Sequence, residues 1–403
     1  MKRYFAFFLG DGFRAFFMGA ALFAPLSLSL WLLAFFGGFD VLPDRMPAVQ
    51  WHAHTLVFGY GGAVLAGFFL TAVPNWTGAK AARHVFIGVA AAVWAAGRLA
   101  VFSADLLPPV LVAGVDLAFA PILGAKIATQ LIRKPKPQNV VFLLFLSLFW
   151  IGNLVLHLDW IGIATGDADA GLRVGLLALV SMIIVLGGRV TPAFTRNAMH
   201  RAGIETGTPH DPAVFTPMAI VLAALLPLSA LVAGGTLAQA LLFVIAGMFV
   251  LLRGLRWHTR FQWGQPILWT LHLSYGAIGL GLVLWGIAGL TGDTDVPALH
   301  FLAIGGVGGM TVSVMSRATL GHSGRPLVAP RAVALSYALI PVAAILRWMG
   351  GVMGGVTGGA AYTPLVLASG LLWCAAFALF IAALWPLWAN PRPARASANP
   401  PPE

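Results

Sequence analysis

Long apolar runs, separated by short polar segments, follow one another along almost the whole chain. There are twelve runs of about 20 residues, and a helix of that length crosses the roughly 30 Å hydrocarbon core of a bilayer. Since a helix satisfies its own backbone hydrogen bonds in lipid, the pattern predicts twelve transmembrane helices. The predicted spans are 15–38, 51–73, 85–103, 106–132, 139–159, 171–189, 215–234, 236–253, 267–290, 297–316, 330–348 and 363–388. We expect a single all-α, polytopic membrane domain over residues 1–390 and a disordered cytoplasmic tail over residues 391–403.

Charged residues fall on opposite sides of these spans according to their sign. The loop between spans 4 and 5 contains Arg133, Lys134 and Lys136, whereas the loop between spans 1 and 2 contains Asp40 and Asp44. The positive-inside rule then places the basic loops and both termini in the cytoplasm. The net charge of +11 therefore reflects membrane topology, and no nucleic-acid partner is expected.

Composition limits both the class of protein and the kind of metal site. With 59% hydrophobic and 9% charged residues, the chain cannot build a soluble globular surface, so the lipid bilayer is its first partner. The single cysteine, Cys374, excludes an internal disulfide and a thiolate metal cluster. Any bound metal must use other ligands.

Histidines at the ends of the spans are the main candidate ligands, because neutral imidazole binds haem iron, copper and zinc. Predicted metal ligands at the outer ends of spans 2, 5 and 10 are His52, His54, His157 and His300, and those near the inner end are His272 and His322. Because His52 and His54 are two residues apart, they point about 200° away from each other on a helix and need different partners. The alternative for any one of them is an anchor at the membrane interface.

Other polar or small residues in the spans admit two interpretations each. Spans 2 and 10 are rich in glycine, including Gly305 and Gly309, which favours either close helix packing or the approach of a flat, rigid ligand. Arg98 and Arg347 lie in the outer halves of spans 3 and 11 and suit a ligand with carboxylates, such as haem. Arg98 can instead pair with Asp116, and either arginine can extend to the interface.

Short similar segments recur at the inner ends of spans 2, 6 and 10. Thr77, Thr195 and Thr319 stand at intervals of 118 and 124 residues. Such spacing is typical of three quasi-repeats of four helices. The alternative is that helix ends simply favour proline, threonine and asparagine.

Three segments are specific enough to indicate a family: "WHAHTLVFGYGGAVLAGFFLTAVPNWTG" (51–78), "GGRVTPAFTRN" (187–197) and "SRATLGHSGRPL" (316–327). They resemble the signature segments of the NnrS family, and the similarity extends from about residue 5 to residue 390. Members of that family are described as twelve-helix proteins of the bacterial cytoplasmic membrane that contain haem and copper and are associated with denitrification and the response to nitric oxide. The resemblance implies haem b and copper as cofactors, nitric oxide or a related small ligand as a partner, and a respiratory electron donor.

The predicted arrangement is also distantly similar to the catalytic subunit of haem–copper oxidases. That subunit has twelve helices in three quasi-repeats and holds its low-spin haem with histidines from helices 2 and 10. Its copper or iron centre draws histidines from helices 6 and 7, and spans 6 and 7 here contain none. We therefore do not expect the standard binuclear centre, and a shared fold does not by itself establish chemistry.

Together these features lead to a hypothesis for the site. His54 or His52, with His300, ligates haem b between spans 2 and 10, with Gly305 and Gly309 against the porphyrin and Arg98 and Arg347 at its propionates. Copper takes the remaining outer histidine together with His157. The expected function is the handling of nitric oxide by binding, conversion as an oxidoreductase, or protection against nitrosative stress. The alternatives are a membrane transporter and a haem or copper assembly factor without redox turnover.

Overall fold

The chain folds as a bundle of long helices in a computed structural model that describes residues 2–163, 166–354 and 359–390. Among these described residues, twelve helices are long and apolar enough to cross a membrane, so the predicted number of spans and the all-helical class are confirmed. In chain order they are α1 Gly12–Gly37, α2 Ala48–Thr77, α3 Val85–Phe102, α4 Pro109–Leu131, α5 Pro137–Ile161, α6 Ala168–Arg201, α7 Phe215–Val232, α8 Leu237–Leu255, α9 Pro266–Thr291, α10 Val296–His322, α11 Arg331–Gly354 and α12 Tyr362–Ala389. The protein is thus a polytopic membrane protein. The predicted tail, 391–403, lies outside the described residues.

Several helices extend beyond the spans that hydropathy marks. The predicted span 171–189 is part of a helix that continues to Arg201, and the predicted span 297–316 is part of one that ends at His322. Hydropathy detects only the segment that lies in hydrocarbon. The additional turns mix polar and apolar residues and end in basic residues, which interact favourably with the carboxyl end of a helix.

Helices α2 and α10 are each interrupted near their N-terminal end. A π-helical turn spans Thr55–Tyr60 in α2 and Leu302–Gly308 in α10, and each lies within two residues of a histidine, His54 and His300. A π-helical turn inserts one residue into the helical repeat and so rotates the residues on either side relative to each other. We call the end of the bundle that contains Ala48, Ile161 and Val296 the outer end. Both turns lie near it, and both histidines precede them.

Glycines bring some neighbouring helices into backbone contact. A Cβ atom added to Gly247 in α8 would lie 2.5 Å from the carbonyl oxygen of Gly279 in α9, and one added to Gly152 in α5 would lie 2.6 Å from that of Gly171 in α6. No side chain fits at such distances. These helix pairs therefore depend on glycine for their separation, as is common in membrane bundles.

We expect Gly247→Ala to destabilise the bundle by about 1–3 kcal/mol, the usual cost of overpacking. The added methyl group would press on the α9 backbone, which cannot move as a flexible side chain can. Thermal unfolding in detergent, followed by circular dichroism, measures the effect. Gly276→Ala in α9 is the matched control, because nothing lies within 4 Å of its added Cβ atom. An equal melting temperature for the two variants would contradict the packing argument.

Candidate functional site

Polar side chains collect into two separate groups at the outer end, and α2 contributes to both. The first, the cavity site, contains His52, His300 and Arg347. The second, the buried cluster, contains His54, Asp116 and His157, together with Arg98 and Asn153. Because His52 and His54 point to opposite sides of α2, one helix serves both groups. The sequence predicted this divergence.

The cavity site borders a cavity of about 250 Å³ enclosed by residues of α1, α2, α6, α10, α11 and α12. Most of the lining is aliphatic or aromatic. The imidazole rings of His52 and His300 have centroids 6.3 Å apart and lie within 12° of parallel. Trp31 stacks on the ring of His52 with a centroid distance of 4.4 Å. The structure therefore brings His300 together with His52 and not with His54.

Hydrogen bonds define the protonation of His300. Its Nδ1 lies 2.8 Å from the carbonyl oxygen of Val296, which can only accept, so Nδ1 carries the hydrogen. The lone pair is then on Nε2, where Nη2 of Arg347 lies at 3.3 Å. A backbone carbonyl on the other ring nitrogen is the usual way to orient a metal-binding histidine. Within the described residues, Nδ1 of His52 is buried without a hydrogen-bond partner, so that ring is positioned by stacking alone.

The buried cluster surrounds one carboxylate. Oδ2 of Asp116 accepts hydrogen bonds from Nε2 of His54 at 3.0 Å, Nε2 of His157 at 2.9 Å and Nδ2 of Asn153 at 2.9 Å. The guanidinium of Arg98 forms an ion pair with Oδ1. Each Nε2 carries a hydrogen, because the carboxylate can only accept. With both imidazoles in the neutral form, the single carboxylate balances the single guanidinium. The Asp116 side chain is fully buried, so this balance matters for stability.

The same three residues have the geometry of a metal site. One ligand atom from each of His54, Asp116 and His157 lies within 4.8 Å of the other two. Metal–ligand distances are about 2.0–2.2 Å, so ligands of one tetrahedral ion are about 3.5 Å apart. A cation would replace the two Nε2 hydrogens. Two imidazoles and one carboxylate suit iron, zinc or copper.

The remaining predicted site residues have other neighbours. Gly305 packs against Ala277 and Ala344, which are on α9 and α11, and Gly309 packs against α9, so both lie at helix contacts and do not line the cavity. Arg98 is in the buried cluster and not at the cavity.

The two predicted ligands near the inner end are distant from both groups. His272 forms a hydrogen bond with Thr195 at 2.9 Å, and the ring of His322 packs in a tilted arrangement against Phe13 with a centroid distance of 5.7 Å. Among the described residues, neither belongs to a group of three or more potential metal ligands.

Sequence reasoning did not single out several residues that shape the two groups. Arg173 of α6 lines the cavity and forms an ion pair with Asp295 at 3.1 Å. Tyr60 also lines the cavity, and Trp160 packs on both imidazoles of the buried cluster. Arg173 could have been noticed from the sequence, because it is a charged residue near the start of an apolar span. The two aromatic residues gave no such signal, since aromatic residues are common throughout the spans.

Comparison with known proteins agrees with the motifs. No curated protein matches the chain. The family model described as "NnrS protein" matches residues 7–392, nearly the whole chain, including all outer residues of both groups. The chain therefore belongs to the NnrS family.

Proposed function

We propose that the protein binds haem b in the cavity between α2 and α10 and handles nitric oxide there. Membership of the NnrS family supports a membrane protein of the nitric oxide response. The observation that carries the haem assignment is the pair of parallel imidazoles of His52 and His300 at one apolar cavity.

The separation of the two rings fits one iron between them. A ring centre lies about 3 Å from a metal bound by its nitrogen, because metal–nitrogen distances are about 2.0 Å. Two imidazoles that held one metal ion would have ring centres up to about 6 Å apart, and the centroids of His52 and His300 are 6.3 Å apart. The apolar lining from six helices suits the faces of a porphyrin.

Cations at the cavity suit the carboxylates of haem. Arg347 and Arg173 both line the cavity, the first beside His300 and the second near the outer end of α6. Guanidinium groups bind carboxylates in a bidentate manner. We assign the propionate contacts to Arg347 and Arg173, in place of the Arg347 and Arg98 pair that the sequence indicated, because Arg98 does not line the cavity. Arg173 would then share its guanidinium between a propionate and its present partner, Asp295.

The two axial histidines differ in how firmly they are held. Bound haem supplies an iron that takes nitric oxide and exchanges electrons. His300 is anchored through Nδ1 to the backbone of α10, so it retains its position. His52 has only the stacking contact with Trp31 within the described residues, so its ring moves aside at lower cost. If haem binds here, His300 would be the ligand that keeps its position, and His52 would be the ligand that moves aside more readily.

Copper, the second metal that the family resemblance implies, has a matching donor set in the buried cluster. His54 and His157 supply imidazoles, and Asp116 supplies a carboxylate. The sequence hypothesis assigned copper to His157 and to whichever of His52 and His54 does not bind haem. With haem proposed at His52, that residue is His54. Trp160 packs against both rings.

The remaining context follows the topology. We propose a bacterial cytoplasmic membrane location with both termini in the cytoplasm, which makes the outer end periplasmic. Residues 1–390 then form one membrane domain, and electrons arrive from a respiratory donor. Turnover of nitric oxide as an oxidoreductase, as opposed to binding alone, stays a hypothesis.

An absorption spectrum of the purified protein tests the proposed function. We expect a Soret band that shifts when nitric oxide is added, because the ring of His52 would move aside at low cost if haem were bound. A colourless preparation from cells supplied with iron and haem precursor would contradict the proposal and favour transport. Exchangeable haem well below one per chain, with a defect in another respiratory enzyme upon deletion, would instead favour an assembly factor.

A further inference from the structure

A second, much smaller cavity lies beside the buried cluster. It has a volume of about 20 Å³, and its lining includes Met46, Ala104, His157 and Trp160. A cavity needs about 10–15 Å³ to hold one water molecule, so this one admits a single water or a single ion. His157 lines this cavity and also belongs to the buried cluster.

His157 presents a different ring nitrogen to each side. Its Nε2 donates to Asp116 inside the cluster. Nδ1 makes no hydrogen bond within the described residues, so it is available to a ligand in the cavity that His157 lines. An ion in the small cavity is therefore one imidazole ring away from the buried donor set.

Met46 is a second residue of the small cavity whose side chain could offer a ligand atom. Its side chain is 5% exposed, although it belongs to the connection between α1 and α2 and not to a spanning helix. A thioether and an imidazole form a soft donor pair, which selects Cu(I) over hard cations such as magnesium or calcium. Arg45 also lines the cavity, and its guanidinium donates to the carbonyl of Leu107 at 3.1 Å.

The charge of the buried cluster also favours a monovalent ion. Asp116 and Arg98 cancel each other, so any cation adds uncompensated charge in the membrane. One added charge costs less desolvation than two. The donor atoms and the charge balance thus favour the same ion, Cu(I).

The segment that contains Met46 is held down by one carboxylate. Asp105, in the connection between α3 and α4, accepts the backbone N–H of Asp44 at 2.9 Å and that of Arg45 at 3.1 Å. Asp44 and Arg45 are exposed, whereas Met46 beneath them is buried. Release of these two hydrogen bonds would free the segment that closes the small cavity.

We propose that the small cavity is the outer entry site for Cu(I), with Met46 and Nδ1 of His157 as transient ligands. Asp105 holds the segment that contains Met46 in place through its two hydrogen bonds. This inference rests on the proposed copper centre. Met46 and Asp105 control how fast the ion passes between the outer surface and the centre. His54, Asp116 and His157 control how tightly it is held.

The test is the rate of Cu(I) uptake by purified, metal-free protein from a chromogenic Cu(I) chelator under anaerobic conditions. We expect Met46→Leu, which conserves volume, to slow uptake about tenfold, in the range seen when a residue that supports a metal site is lost. Final occupancy should stay at the wild-type value because the centre is intact. Met353→Leu, on an exposed side chain of α11, is the matched control.

A second variant separates entry from folding. Asp105→Asn should speed both uptake and release, whereas Asp40→Asn, at an exposed acid in the connection between α1 and α2, should change neither. Uptake at the wild-type rate in both Met46→Leu and Asp105→Asn would overturn the entry site while leaving the copper centre in place. If wild-type protein takes up no more Cu(I) than His54→Ala and His157→Ala variants, the copper centre itself fails, and the entry site with it.

Discussion

Replacing His300 with alanine is expected to abolish haem binding and remove the Soret band of the purified protein. His300 is the histidine that α10 contributes to the cavity, and its ring is fixed by the hydrogen bond from Nδ1 to Val296. Without it, iron would retain only the loosely held His52. We expect haem content to fall to about a tenth or less of wild type, since even supporting partners of metal ligands are worth about 10- to 100-fold in affinity. The pyridine haemochrome assay on equal amounts of folded protein measures it.

Two comparisons make this result interpretable. His52→Ala should keep haem, because His300 still anchors the iron, but should shift the Soret band and speed nitric oxide binding by opening one axial position. His200→Ala, at an exposed position at the end of α6, should leave the spectrum unchanged. Unchanged haem in His300→Ala would remove His300 from the site. Loss of haem in His52→Ala together with full haem in His300→Ala would reverse the assigned roles.

The part of the fold that could be predicted depends on local properties of the chain. Hydropathy over about 20 residues decides whether a segment enters lipid, so all twelve spans were predictable. The ends of α6 and α10 were not, because a helix leaving the bilayer is continued by capping and charge and not by hydropathy. The π-helical turns in α2 and α10 were not predictable either, since they arise from packing between distant helices.

The partition of the histidines could be predicted only in part. Topology placed His52, His54, His157 and His300 at one end, and helical geometry sent His52 and His54 to opposite sides. Which of them faces His300 depends on the rotation of α2 in the bundle, and sequence spacing contains no information on that rotation. The sequence therefore left the two as alternatives.

The partners of Asp116 could have been predicted more firmly from the sequence. Asn153 and His157 are four residues apart on α5, so they share a helix face, and both donate to Asp116. A carboxylate in the middle of a span also requires a partner, which Arg98 on the preceding helix provides. The sequence left the pairing of Arg98 open between Asp116 and a bound ligand. In the structure, desolvation of a lone carboxylate explains why the ion pair forms.

Replacing Asp116 with alanine is expected to destabilise the protein more than any other single change in the two groups. The substitution leaves the guanidinium of Arg98, whose side chain is 8% exposed, without its counter-charge, and it removes the acceptor of three hydrogen bonds. Breaking a buried pair in this way costs about 3–5 kcal/mol. Thermal unfolding in detergent should show a markedly lower melting temperature, and bound copper should be lost because a ligand is missing.

The double variant Asp116→Ala with Arg98→Ala separates the effect of an uncompensated charge from the effect of the lost side chain and its hydrogen bonds. Removing both partners abolishes the uncompensated charge, so the double variant should be more stable than Asp116→Ala alone, although His54 and His157 still lack an acceptor. Recovery should be partial for that reason. Asp40→Ala, at an exposed loop acid, is the control and should melt as the wild type does. If Asp116→Ala melts as the wild type does, or if the double variant is no more stable than the single one, then Asp116 and Arg98 are not the charge balance of the buried cluster. The copper centre would then lack the neutral framework on which its preference for a monovalent ion depends.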